Sequence, residues 1–328
     1  MSHSSFLVLI DETVEKLYGK TLFQSLKLAK KRMTVVSISP SETIKSVDSL
    51  PFLLKPFFTA GFDRNALFLA IGGGVVTDIG GFLGSVLLRG IDTILIPTTL
   101  LSQVDAAIGG KTGVNVRISE TSLLKNMVGT FYPPTAVITD CNFLRTLPRK
   151  EILNGLGEMV KYWAGWGRPS MNILAKISKG VQMSDSELCS IISLCQQIKL
   201  GVIRKDPYET KGIRDSLNLG HTIGHAIEGA CKTLSHGQAV AIGLVAVAKI
   251  SSYRGILSVS DRDKIVTSIE SLGLPIRVKN ISVDEVMRLM KMDKKGGTFV
   301  LFSAIGKIKT RQRVPIDIIQ RTLMEVIV

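Results

Sequence analysis

Five apolar runs punctuate the first 150 residues: FLVLI (6–10), TVVSIS (34–39), ALFLAI (66–71), TILIPTT (93–99) and AVITD (136–140). Short continuous runs of branched and aromatic side chains predict strands buried on both faces. Between several of them lie helix-like stretches, VEKLYGKTLFQSLKLAKK (14–31) and TDIGGFLGSVLL (77–88). Strands alternating with helices predict an α/β domain on a largely parallel sheet. After TLPRKE the pattern changes. Residues 151–290 read as successive helices, followed by a β-hairpin candidate at TFVLFSAIGKIKTRQ (298–312). The proline of LRTLP marks an expected boundary, with an α/β domain over 1–149 and a mainly helical domain over 150–328. The longest apolar run of the second half, AVAIGLVAVA (239–248), is about half of a membrane span and reads as a buried helix.

Composition adds a constraint on partners. The 328 residues carry 41 Lys and Arg against 27 Asp and Glu, a net charge of +14. Yet the basic residues form no run longer than Lys30, Lys31 and Arg32, and only 6% of residues are aromatic. Scattered cations suit small phosphorylated or carboxylated ligands better than nucleic acid. The opening MSHSSFLVLIDE lacks the basic segment and long apolar run of a signal peptide, so neither secretion nor a membrane is expected. Cys141, Cys189, Cys195 and Cys231 form no CxxC pair and read as reduced cytoplasmic thiols.

AIGGGVVTDIGG (70–81) follows a strand and opens a helix. Glycines there let backbone N–H groups approach a pyrophosphate at a helix N-terminus. The spacing is not GxGxxG, because Thr77 holds the third position, so a tight turn that needs glycine for sterics alone is the competing reading. Asp78 either stabilises the start of the helix or contacts a nicotinamide ribose. Glu42, in SETIKS after the second strand, offers a carboxylate to ribose hydroxyls, which favours NAD over NADP.

Three of the four histidines fall within 16 residues: His221, His225 and His236. His221 and His225 are i and i+4, on one helical face. HTIGH lacks the glutamate of the protease motif HExxH. Imidazoles grouped with a carboxylate point to a divalent metal, zinc first. Spacing does not say which histidines are ligands. Glu158, in GLGEMVKY, is one candidate carboxylate among many, and Lys161 lies i+3 from it. A lysine beside a cation makes sense when an anionic ligand lies between them.

The segments GGGVVTDIGGF, LLRG, IPTTLLSQVDAAIGGKTGVN, KNMVGTFYPP, FLRTLP, GLGEMVKY, GIRDSLNLGHTIGHAIE, LSHGQAVAIG and DKKG, in this order, resemble the 3-dehydroquinate synthase family from about residue 5 to 310. These are sugar-phosphate cyclases that share a fold with metal-dependent polyol dehydrogenases. The resemblance implies a Rossmann-like NAD-binding α/β domain, a mainly α-helical metal-binding domain, zinc or cobalt, and a cytoplasmic homodimer. It implies Glu158, His221 and His236 as metal ligands, with His225 and Glu209 moving protons. It implies NAD contacts from Glu42, Lys45, Gly74, Val75, Val76, Thr77, Asp78, Thr98, Thr99, Lys111, Lys125, Phe143, Leu144, Arg145 and Thr146. Substrate contacts would come from Asp105, Lys111, Asn126, Lys161, Lys199, Arg214, Asn218 and one lysine of the pair Lys294 and Lys295. Arg89 would reach the substrate phosphate of the neighbouring subunit.

The implied reaction converts 3-deoxy-D-arabino-heptulosonate 7-phosphate to 3-dehydroquinate and phosphate. It runs through transient oxidation by NAD, phosphate elimination, reduction and an intramolecular aldol closure. Another sugar-phosphate cyclase, or an NAD(P)-linked polyol dehydrogenase, is the alternative. Three departures from the family pattern stand out: a longer link between Asn115 and Lys125, Thr77 in place of glycine, and one extra residue between Asp206 and Arg214.

Overall fold

The computed structural model describes residues 3–119, 122–292 and 297–328. The chain divides into two compact units, Met1–Thr146 and Leu147–Val328.

Unit one runs β1 (Ser5–Asp11), α1 (Glu12–Lys27), β2 (Arg32–Ile38), α2 (Leu50–Ala60), β3 (Leu67–Gly72), α3 (Gly74–Val86), β4 (Thr93–Pro97), β5 (Val114–Ser119), β6 (Ser122–Val128) and β7 (Ala136–Val137). Five strands form a wholly parallel sheet in the order β2-β1-β3-β4-β7. Alternate residues of β1 and β3 supply two cores. Leu7, Leu9, Phe68 and Ala70 pack with Leu53 and Phe57 of α2 and Val76, Ile79 and Leu83 of α3. Phe6, Val8, Ile10, Leu67, Leu69 and Ile71 pack with Val14, Tyr18, Leu22 and Phe23 of α1. Helices on both faces explain why these strands are apolar throughout rather than alternating. Asp11 starts α1 by accepting from the N–H groups of Thr13 (2.7 Å) and Val14 (3.3 Å). Of AVITD only Ala136 and Val137 pair as a strand, at the sheet edge. The longer link after Asn115 is the antiparallel hairpin β5–β6.

Unit two runs α4 (Arg149–Trp166), α5 (Met171–Lys179), α6 (Asp185–Lys205), α7 (His221–Ala230), α8 (His236–Tyr253), α9 (Val259–Ser271), α10 (Val283–Met292), β8 (Thr298–Ala304), β9 (Lys307–Arg313) and α11 (Ile316–Val326). The long apolar run forms the middle of α8, where Ala239 to Ala248 are buried on every side. Around it pack α4, α7, α9, α11 and β8. The strands β8 and β9 form an antiparallel hairpin. Among the described residues no helix is long and apolar enough to cross a membrane.

Cys195 and Cys231 are free thiols.

Candidate active site

Two glycines bring the chemistry of unit two together. A Cβ on Gly157 of α4 would lie 2.2 Å from the Gly237 carbonyl oxygen, and one on Gly237 would lie 1.9 Å from the Asn154 carbonyl oxygen. The backbones of α4 and α8 therefore touch. Their next-door side chains, Glu158 and His236, meet at that crossing. On the other flank, a Cβ on Gly243 of α8 would lie 2.0 Å from the Gly220 carbonyl oxygen, which seats the start of α7 and His221. Capping fixes the start of α8: the Gln238 side chain accepts from the Ser235 N–H (3.0 Å), and Asn154 Oδ1 accepts from the Gly237 N–H (2.8 Å).

The result is a convergent donor set. Glu158 Oε1 lies 3.2 Å from His221 Nε2 and 3.3 Å from His236 Nε2. His221 Nδ1 donates to the Leu219 carbonyl (3.0 Å), and His236 Nδ1 donates to Glu228 Oε2 (3.0 Å). Both rings are thus held with Nε2 turned to one point, the way metal-ligating histidines are oriented. One ring nitrogen from each of His221, His225 and His236 lies within 4.8 Å of the other two. His225 is the exposed member of the three, and Glu158 is fully buried. Lys161, one turn along α4, forms an ion pair with Glu158 Oε2.

Electrostatics show what this cluster holds. Burial would raise the Glu158 carboxyl, but the Lys161 ammonium and the two imidazoles keep it well below the usual carboxylate range. Burial pulls His221 down toward the neutral ring. His236 is opposed by burial too, yet hydrogen bonds to Glu158 and Glu228 push it up to about 10. The two carboxylates beside His236 favour a positive charge at its ring, and a divalent metal would displace a proton bound there. Two neutral imidazole nitrogens and a carboxylate fit zinc or cobalt.

Cations and one orphaned donor belong to the same unit. Lys199 of α6 and Arg214 are buried, as Lys161 is. Asn218 ends a 3-10 turn over Arg214–Asn218, and its Nδ2 is buried with no hydrogen-bond partner among the described residues. A buried donor of this kind costs stability unless something else occupies it. Glu209 is half-buried, in the left-handed region at φ 59. Lys294 and Lys295 lie outside the described residues.

In unit one the glycine loop stands at the C-terminal end of β3, beside β1. In the order β2-β1-β3-β4 this is the switch point, where open parallel sheets bind ligands. Glycines here divide by role. A Cβ on Gly80 would lie 2.2 Å from Ala70 Cβ, and one on Gly84 would lie 2.1 Å from Thr93 Oγ1, so these two let α3 lie on the sheet. Gly74 is different: a Cβ there would meet only Ala106, at an ordinary 3.5 Å. Protein packing does not require glycine at 74. The first amide of α3 to bond within the chain is Thr77 N–H, to the Gly73 carbonyl (3.0 Å). The N–H groups of Gly74, Val75 and Val76 precede it at the helix start.

The other predicted residues of unit one take different places in it. Thr98 and Thr99 follow β4, and the Thr98 N–H donates to the Gly72 carbonyl (2.9 Å). Lys45, buried, pairs with Asp78 at 2.5 Å. The side chains of Val76, Thr77, Phe143 and Leu144 are buried in unit one, which leaves their backbones for any cofactor contact. Thr77 Oγ1 donates to the Gly74 carbonyl (3.1 Å). Arg145 and Thr146 are exposed, and Thr146 Oγ1 hydrogen-bonds the Tyr18 hydroxyl (2.7 Å). Asp105 lies on a π-helical turn, Ser102–Ala106. Lys111 and Lys125 are exposed, with the Lys111 ammonium 5.8 Å from the Phe131 ring centre. Arg89 is exposed on a strained turn, where Leu88 (φ 47) and Arg89 (φ 66) are both left-handed.

Residues 35–154 match the family described as 3-dehydroquinate synthase N-terminal, and residues 155–296 match 3-dehydroquinate synthase C-terminal. The chain belongs to the 3-dehydroquinate synthase family. Its relatives include the 3-dehydroquinate synthase of Buchnera aphidicola subsp. Baizongia pistaciae, 37% identical over 298 residues, covering 90% of this chain and 82% of the relative. That of Sulfurisphaera tokodaii is 39% identical over 316 residues, covering 94% and 88%. Among solved structures, 2-epi-5-epi-valiolone synthase from Streptomyces hygroscopicus subsp. jinggangensis, with NAD⁺ and Zn²⁺ bound, matches with a TM-score of 0.88 at 27% identity, over 99% of this chain and 91% of that one.

Within this 3-dehydroquinate synthase family member, two residues escape a reading of motifs. Glu228 is the last residue of the quoted GIRDSLNLGHTIGHAIE, but its place behind His236 depends on how the loop from α7 to α8 turns back. Asn115, fully buried, donates from Nδ2 to the carbonyl and to Oε2 of Glu42 (2.9 Å each), while its Oδ1 accepts from the Asn126 N–H (2.9 Å). It ties the Glu42 loop to Asn126, itself left-handed at φ 55 in an irregular part of the β5–β6 ladder. An asparagine near the start of a strand carries no sequence signal of such a role.

Proposed function

We propose that this protein converts 3-deoxy-D-arabino-heptulosonate 7-phosphate to 3-dehydroquinate and phosphate, in the cytoplasm and as a homodimer, with NAD⁺ and zinc or cobalt. The observation that carries the reading is the convergence of His221 Nε2, His236 Nε2 and Glu158 Oε1 beside Lys161, in a chain of this family. When bound, NAD⁺ takes a hydride from the substrate and returns it, and the metal acidifies the alcohol being oxidised.

The protein's own residues do the rest. Glu158, His221 and His236 hold the metal. His225, exposed at the rim of the cluster, moves a proton, as does Glu209. Lys161, Lys199, Arg214, Asn218 and Lys294 bind the substrate's anionic and hydroxyl groups. Asp105, Lys111 and Asn126 are assigned further substrate contacts on the family resemblance, as is Arg89 to the phosphate of the neighbouring subunit. The amides of Gly74 to Val76 take the NAD pyrophosphate. Glu42, held by Asn115, accepts from the ribose and disfavours a 2′-phosphate. Another sugar-phosphate cyclase would use the same cofactors, but the 36–39% identity to named 3-dehydroquinate synthases favours the heptulosonate.

Incubation with the heptulosonate phosphate, NAD⁺ and a divalent metal tests the reading. Phosphate and dehydroquinate should rise together with no net NADH; accumulation of NADH points to a dehydrogenase instead. Roles within the histidine cluster separate by substitution. His225→Ala should keep near-stoichiometric metal while turnover falls roughly 10²- to 10⁴-fold, the scale of a lost acid/base group. His221→Ala should lose metal under the same dialysis. Equal loss of metal by both variants makes His225 a ligand.

A further inference from the structure

Asp206 ends α6 and is fully buried. It belongs to none of the functional roles above, yet both of its carboxylate oxygens are gripped by backbone amides. Oδ1 accepts from the backbone N–H groups of Thr210 (2.9 Å) and Lys211 (3.0 Å). Oδ2 accepts from those of Ile213 (3.0 Å) and Arg214 (3.2 Å). Four amides of one loop therefore turn inward around one side chain. A carboxylate has about four lone-pair sites, so its capacity is filled by this loop alone. Burial would raise the Asp206 carboxyl, but the backbone bonds from Lys211, Arg214, Thr210 and Ile213 outweigh it, and the group is held below the usual carboxylate range.

The wrapped loop carries two of the residues assigned to chemistry above. Glu209 sits in it at φ 59, a conformation that costs energy for a residue with a Cβ. Arg214 closes it, and its Nη1 donates back to the Pro207 carbonyl (2.7 Å), so the guanidinium is tied to the loop's first residue. Gly212, at φ 73, supplies the other left-handed turn. A free loop has many conformations to lose, and a single internal anion that gathers four amides removes most of them.

We propose that Asp206 is a positioning residue that pre-forms the loop from Pro207 to Arg214, so that Arg214 and Glu209 are already placed when the anionic sugar phosphate arrives. The proposal rests on the substrate assignment under Proposed function. Asp206→Asn keeps the shape but replaces one acceptor oxygen with an N–H₂ facing two N–H donors, which should release half of the loop.

Two measurements test this. Hydrogen exchange on the substrate-free wild-type enzyme, metal-loaded, reads the loop directly and needs no variant. The amides of Thr210, Lys211, Ile213 and Arg214 should be protected to an extent comparable with α6; free exchange overturns the proposal. Steady-state kinetics on Asp206→Asn reads the consequence. kcat/KM for the heptulosonate phosphate should fall by roughly 10- to 100-fold, the scale of a reacting group displaced by about 1 Å. Zinc content and NAD⁺ affinity should stay at the wild-type level. In an Arg214→Ala background the same change should cost much less, because the two act through one loop. A fall in thermal midpoint with kcat/KM unchanged makes Asp206 merely structural and sinks the idea. If wild-type enzyme does not turn over the heptulosonate phosphate, the substrate assignment fails while the exchange result still decides whether Asp206 organises the loop.

Discussion

His236 stands between two carboxylates, with Glu228 behind it at 3.0 Å and Glu158 in front at 3.3 Å. The one behind sets the tautomer, and the one in front would share a metal bound as proposed above. Removing an outer partner of this type typically costs about 10- to 100-fold in metal affinity. Glu228→Ala should therefore release zinc to a chelator at correspondingly lower chelator concentration, with the fold intact by circular dichroism. Glu228→Gln, whose amide oxygen still accepts from Nδ1–H, should fall between the two. If Glu228→Ala holds zinc as tightly as wild type, the imidazole is oriented by something else.

At the scale of elements, the site depends on helices that touch through glycine. Gly237 has the Asn154 carbonyl oxygen where a Cβ would go, at 1.9 Å, and a backbone oxygen cannot rotate out of the way. Gly237→Ala must separate α4 from α8. Overpacking of this kind costs about 1–3 kcal/mol, and here it also moves Glu158 away from His236. Metal affinity and thermal midpoint should fall together; a variant with wild-type zinc affinity would show that the helix contact does not set the ligand geometry.

A second element pair offers a pH test away from the site. Glu325 of α11 accepts from Lys249 Nζ and from the Tyr253 hydroxyl of α8, each at 2.5 Å. Burial opposes the charge, but the Lys249 and Tyr253 hydrogen bonds hold the Glu325 carboxyl below its ordinary 4.5. A carboxylate depressed on folding stabilises the native state above its unfolded pKa, and that contribution is lost as pH falls through the folded value. Glu325→Gln should be less stable than wild type by about 1 kcal/mol at pH 7. Denaturant titrations should show the difference shrinking as pH drops below 4.5. A gap that stays constant to pH 3 would mean that charge is not what the clamp uses.

For the whole molecule, each unit has its own core and its own proposed ligand. Unit one carries the glycine loop on a parallel sheet, and unit two carries the histidine cluster among helices. Binding of NAD⁺ should then survive removal of the metal. Calorimetry on chelated protein should still show saturable NAD⁺ binding, with affinity for NADP⁺ lower because of Glu42; loss of NAD⁺ binding on chelation would assign the cofactor site to both units jointly.

What the sequence alone determined is what local physics writes into neighbouring residues. FLVLI and ALFLAI announce buried parallel strands because both of their faces are covered. AVAIGLVAVA announces a central helix because its length excludes a membrane and its apolarity excludes the surface. The three histidines stand out because they fall within 16 residues, and His221 and His225, at i and i+4, share a helix face. Tertiary structure decided what depends on distance along the chain. Glu158 and His236 are 78 residues apart, and nothing periodic links them; the glycine contact between α4 and α8 brings them together. The same holds for Glu228 behind His236, Asn115 between Glu42 and Asn126, and Asp206 inside its loop. Each is a polar residue whose partners are backbone or side-chain atoms placed by the fold, and hydrogen bonds of that kind leave no period in the sequence to read.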